Sequence, residues 1–226
     1  MFTQSSSKVH QINKSKKDVI SRGMNTINDM IAPDSIVNEK NFYVVGKNLI
    51  RTLMITGYPR TVRMGWLNDL YSLDANIDIS IHIVPWDSTK VIKTLNKRIG
   101  QFSSTLKMDE DAGKISDKEV EIALEDAEEL RDKLHTGSTK FFYQSIYISV
   151  SAPYLEELDQ LTEDVESICG SKNITTRSCV YRQDQGFLSV IPLGSDRIRK
   201  TQNFDTDSVS TCFPLVSSEL TDMRGN

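Results

Sequence analysis

Residues 77 to 84 read Ile-Asp-Ile-Ser-Ile-His-Ile-Val, with an isoleucine at every odd position and Asp78, Ser80 and His82 between them. Only a β-strand gives that alternation two faces, one buried and one polar, because successive side chains of a strand point to opposite sides of a sheet. The strand therefore needs a sheet to lie in and a layer to cover its isoleucine face. Upstream, the apolar, β-branched run 49 to 56 ends at Gly57-Tyr58-Pro59, a turn signal. Met64, Trp66, Leu67, Leu70, Tyr71 and Leu73 then predict a short helix. Together these segments form one strand, helix, strand unit.

A second unit follows. Residues 141 to 150 predict a strand, with Ile146, Ile148 and Val150 alternating against Tyr147 and Ser149, and it ends at Ser151-Ala152-Pro153. The spacing of Leu155, Leu158, Leu161, Val165 and Ile168 predicts a helix. Glu156, Glu157 and Asp159 sit near its positive end and Gly170 marks its stop. Residues 174 to 181 predict its closing strand, and Phe187 to Ile191 one more strand across a turn at Asp184 and Gly186. Two such units in tandem predict an α+β fold with a ferredoxin-like split βαβ sheet, both helices on one face.

About 55 residues separate the units, where that fold ordinarily has a short loop. Val91, Leu95, Ile99, Phe102 and Leu106 recur at helical spacing, as do Val120, Ala123, Ala127, Leu130 and Leu134. The first series is accompanied by Lys90, Lys93, Lys97 and Arg98, the second by Glu119, Glu121, Glu125, Asp126, Glu128 and Glu129. This predicts an antiparallel helical hairpin over 87–136, inserted between the two units, with its tip near Asp109 to Gly113. On either side of the folded region, 34–193, the pattern fades. Residues 1–33 read as a mobile basic arm, which could contact DNA or lipid, and 194–226 as a polar linker.

Chemistry-bearing motifs are sparse. No GxxxxGK followed by Ser or Thr occurs, so a Walker A phosphate cradle is absent. Asp109, Asp111 and Gly113 approach a calcium loop, but Lys114 and Val120 stand where its glycine and bidentate glutamate belong. The cysteines Cys169, Cys179 and Cys212 form no CxxC pair and no zinc spacing, and an odd count favours a reducing, intracellular compartment. Asp78, Ser80 and His82 supply an acid, a hydroxyl and an imidazole, yet same-face strand neighbours fan out in parallel instead of converging on one proton path. With Tyr143 and Tyr147 they are read as a partner surface on an open sheet face. Neither a cofactor nor a metal site is expected, and net charge of −4 does not describe a nucleic-acid-coating surface.

The run from Arg51 through Thr56-Gly57-Tyr58-Pro59-Arg60-Thr61-Val62, Met64-Gly65-Trp66-Leu67 and Asn76 to Ile83 resembles the N-terminal region of CagE/TrbE/VirB-type conjugation ATPases, closest to members carried on Gram-positive mobile elements. The resemblance covers most of residues 34 to 222, including Cys212-Phe213-Pro214-Leu215. It implies a non-catalytic docking and assembly domain of a type IV secretion motor. ATP and Mg are implied for a motor domain absent from these residues. The implied partners are inner-membrane subunits of the secretion channel, met at the cytoplasmic face of the membrane, together with self-association of the full-length protein. Gly57, Tyr58 and Pro59 are expected to be a structural turn. The competing reading is a stand-alone nucleic-acid-binding module that uses its basic arm.

Overall fold

The computed structural model describes residue 33 and residues 35 to 113 and 117 to 213. In chain order the strands are β1 (Ile36–Asn38), β2 (Tyr43–Val45), β3 (Asn48–Gly57), β4 (Ile77–Trp86), β5 (Phe141–Ala152), β6 (Thr175–Ser178) and β7 (Gln202–Asp205). The helices are α1 (Asn68–Tyr71), α2 (Ser88–Asp111), α3 (Lys118–Thr136), α4 (Leu155–Ser171), α5 (Gln183–Val190) and α6 (Thr206–Thr211). All strands join one antiparallel sheet, which makes the fold α+β.

β5 is the axis of that sheet. β4 pairs along one of its edges from Ile77↔Val150 to Trp86↔Phe141. The other edge is shared end to end, by β3 at residues 147–152 and by β7 at residues 141–144. The far edge of β3 is shared in the same way by β2 and β6. The central order is thus β6–β3–β5–β4, in which each strand, helix, strand unit has one strand of the other unit between its own two strands.

Burial follows the alternation. Leu53, Ile55, Ile146, Ile148 and Val150 are buried on one face, and α4 covers them with Leu158, Val165 and Cys169. Spacings of four and three put Leu158, Thr162, Val165 and Cys169 on one side of the helix, each apolar member contributing roughly 1.5 to 3 kcal/mol. Trp66, Leu67 and Leu70 complete this layer, although the helix there is only the four residues of α1. Arg51 lies at its border, with Nη2 2.8 Å from Asp159, Nη1 donating to Thr162 Oγ1 and Nε donating to the Asn41 carbonyl.

α2 and α3 pack on each other as the hairpin. Asp87 and Asp117 cap their N-termini by accepting from the backbone N–H two residues on, and Gly137 ends α3 with φ of 72°. Val91, Leu134 and Phe141 bury the hairpin's root against β5, and Arg60 Nη2 donates to Asp126 at 2.8 Å to tie its flank to the loop after β3.

Three expectations change. Phe187 to Ile191 belongs to no strand. It lies in and just after α5, where Gln183, Gly186 and Ser189 are buried at spacing three. The closing strand is four residues, Thr175–Ser178, shorter than 174 to 181. The stretch after Leu193, expected to be linker, holds β7 and α6, and it places Phe204 and Cys212 in the core. The basic arm falls outside the described residues except for Pro33, as does the remainder of the linker from residue 214.

Candidate docking surface

The pairing register sets Ser80 opposite Tyr147, His82 opposite Ser145 and Val84 opposite Tyr143, so Asp78, Ser80, His82, Tyr143 and Tyr147 do share one face. That face is not open. α5 and residues 191 to 200 lie across its middle, and Tyr147 has no exposed area at all. Its hydroxyl donates to Asp196 Oδ1 at 2.7 Å, and Ser145 donates to Oδ2 at 2.8 Å. Arg199 N–H donates to the same carboxylate, and Lys200 N–H donates to the tyrosine oxygen. Asp196 thereby pins the covering loop to β5. Burial first, and the Asp196 hydrogen bond second, push the Tyr147 hydroxyl well above its ordinary pKa.

His82 is half-buried, and its Nε2 stands 2.7 Å from the Ser189 carbonyl. A carbonyl only accepts, so Nε2 carries the hydrogen and donates it. Ser80 Oγ, 3.1 Å from the same nitrogen, consequently has no free base beside it. The imidazole tethers α5 to the sheet. Asp78 is exposed, and Tyr143 half-buried, at the two ends of the covered zone.

What remains open is the outer edge of β4. Among the described residues it pairs with nothing, and Ile83, Val84 and Trp86 are exposed there, Val84 to 48%. Natural edges are blunted by charge, proline or a bulge; here Asp78 is exposed near one end of the strand, and near the other stands Pro85, which has no N–H to offer. The sequence reading missed this edge because it followed the alternating face. The signal was Val84-Pro85-Trp86, where alternation breaks and a proline marks a strand without a neighbour on that side.

Gly57, Tyr58 and Pro59 lie where the chain leaves β3. A Cβ on Gly57 would come within 3.0 Å of Thr175 Oγ1, so glycine lets β6 close on β3 at the register shift beside it. The Tyr58 ring packs edge-on against Phe204 at 4.9 Å and against Trp66 at 5.9 Å. These contacts bind the turn to the core.

The three cysteines are buried and unpaired. Burial is the main reason the Cys169 and Cys179 thiols are pushed up from 9.0 to about 11, so both are un-ionised at neutral pH. Their folded pKa values are raised, so this contribution to stability is complete below pH 9, where the unfolded thiols begin to ionise. It declines as pH rises toward 11. Urea midpoints measured at half-unit steps from pH 8 to 11 are expected to hold steady at first and then fall. A flat profile through pH 11 would contradict these buried positions.

No helix among the described residues is long and apolar enough to cross a membrane, and no group of three or more His, Cys, Asp or Glu among them could hold a metal ion. Searches with protein-family models and among curated proteins find no match for this chain.

Proposed function

We propose that this chain is the docking and assembly domain of a conjugation ATPase of the type IV secretion kind. In this reading the order β6–β3–β5–β4, with α1 and α4 on one face, is a ferredoxin-like split βαβ sheet, and the α2–α3 hairpin is its insertion. Hydrolysis of ATP with Mg belongs to a motor outside residues 1 to 226, and the chain itself attaches that motor to inner-membrane subunits at the cytoplasmic face.

The observation that carries the reading is the open edge of β4, ten residues long and apolar at one end. Such an edge offers a row of unpaired N–H and C=O groups to an extended segment of a partner, and Ile83, Val84 and Trp86 offer side-chain contacts beside it. The hairpin next to it supplies a second surface. Val84→Lys tests this. In source cells carrying the parent gene, an antibody against this chain is expected to detect a band far above 25.6 kDa in the membrane fraction. The variant is expected to move that band to the soluble fraction while circular dichroism of the purified chain stays unchanged. A native band at 25.6 kDa, soluble with or without the substitution, would overturn the docking reading.

A further inference from the structure

Between the root of the hairpin and the sheet lies a cleft of about 280 Å³ whose walls are aromatic and basic. Trp86, Phe141 and Tyr143 meet edge to face, with centroids 5.0 and 5.4 Å apart. Lys90 and Arg98 of α2 line the opening, and Lys90 Nζ sits 5.9 Å from the Trp86 ring centre. No acidic residue lines the cleft.

Four acids of the neighbouring segments have partners. Asp126 holds Arg60, Glu129 holds Lys133, Asp205 caps α6 and Asp87 caps α2. By contrast Lys90, Lys93, Lys97 and Arg98 are all exposed and form no ion pair among the described residues. The chain is acidic in sum, yet Lys90, Lys93, Lys97 and Arg98 gather positive charge over the first turns of α2. From Lys90 to Arg98 the helix rises roughly 12 Å at ~1.5 Å per residue. That is longer than one nucleotide requires.

An exposed aromatic ring beside a track of cations is the chemistry that holds single-stranded nucleic acid, with bases stacking on the ring and phosphates following the charges. We propose that the Trp86 cleft and the exposed cations of α2 form a binding site for single-stranded nucleic acid. It shares Trp86 and the hairpin with the docking reading, but the two fail separately: Val84→Lys tests the edge of β4, and Lys93→Ala with Lys97→Ala tests the cations of α2.

The chain has two tryptophans, and their burial makes the test direct. Trp66 is 8% exposed and Trp86 45%, so a base stacking in the cleft quenches the second. The full chain, titrated at low salt with a labelled thymidine oligonucleotide of about 12 residues, is expected to show saturable anisotropy and tryptophan quenching together. Trp86→Ala is expected to remove the quenching and weaken binding by roughly ten-fold or more, and Trp86→Phe to restore most of the affinity. Lys93→Ala combined with Lys97→Ala is expected to keep the quenching and to lower the salt slope by about 0.7 per lost phosphate contact.

Absence of binding at low salt would overturn the proposal. So would binding that Trp86→Ala and Arg98→Glu both leave intact, which would place it outside this cleft. Equal affinity for polyglutamate would show a general polyanion or acidic-peptide surface, and equal affinity for a mononucleotide a nucleotide pocket. Either result would also overturn it.

Discussion

Phe204→Ala is expected to destabilise the chain by about 3 to 4 kcal/mol. Phe204 projects from β7 into the main core, where it is nearly fully buried and its ring meets Tyr58 at 4.9 Å. Truncation removes the largest side chain that β7 contributes and leaves a cavity between the sheet and the turn at Gly57. For a chain of this length the loss corresponds to a melting temperature lower by roughly 10 °C. Urea denaturation followed by far-ultraviolet circular dichroism measures it. A change below about 0.5 kcal/mol, typical of exposed positions, would mean that residues 202 to 212 are a linker after all.

Gln183→Ala is expected to destabilise the chain by about 2 to 3 kcal/mol, because a buried N–H loses its partner and a buried side chain is truncated. Gln183 is fully buried. Its Oε1 accepts from Thr52 N–H at 2.8 Å and its Nε2 donates to Ser178 Oγ at 3.0 Å. Gln183→Leu keeps the volume without the amide and is expected to recover only the packing part. Hydrogen exchange at the Thr52 amide is expected to accelerate in both variants. Unchanged exchange would show that α5 does not clamp the sheet. Gly186→Val is expected to be similarly damaging, since a Cβ there already lies 2.8 Å from Thr52 Cβ.

Both substitutions fall where the sequence was hardest to interpret. The strands around Ile77 and Ile146 and the helices α2, α3 and α4 were legible, because each is long enough for its period to repeat several times. α5 is eight residues whose fully buried positions are Gln183, Gly186 and Ser189, none of them a large apolar side chain, and Phe187 to Ile191 looked like a strand. β7 is four residues with one buried apolar side chain. Neither segment carries enough repeats to show a period.

The candidate surface illustrates the same limit. Alternation identified which residues share a face with His82, and the pairing register agrees. Whether that face meets solvent is not a property of the strand. It depends on the Asp196 carboxylate finding Tyr147 and Ser145 across about 50 residues of chain, and on Ser189 reaching His82 across about 107.

Local sequence by itself determined the periodic elements, their buried sides and the separation of basic α2 from acidic α3, since these follow from side-chain spacing along one segment. Tertiary structure alone decided what covers the polar face, which edge stays free and where unpaired charge gathers beside Trp86. Those outcomes depend on hydrogen bonds and packing between residues far apart in the chain, and no local period encodes them.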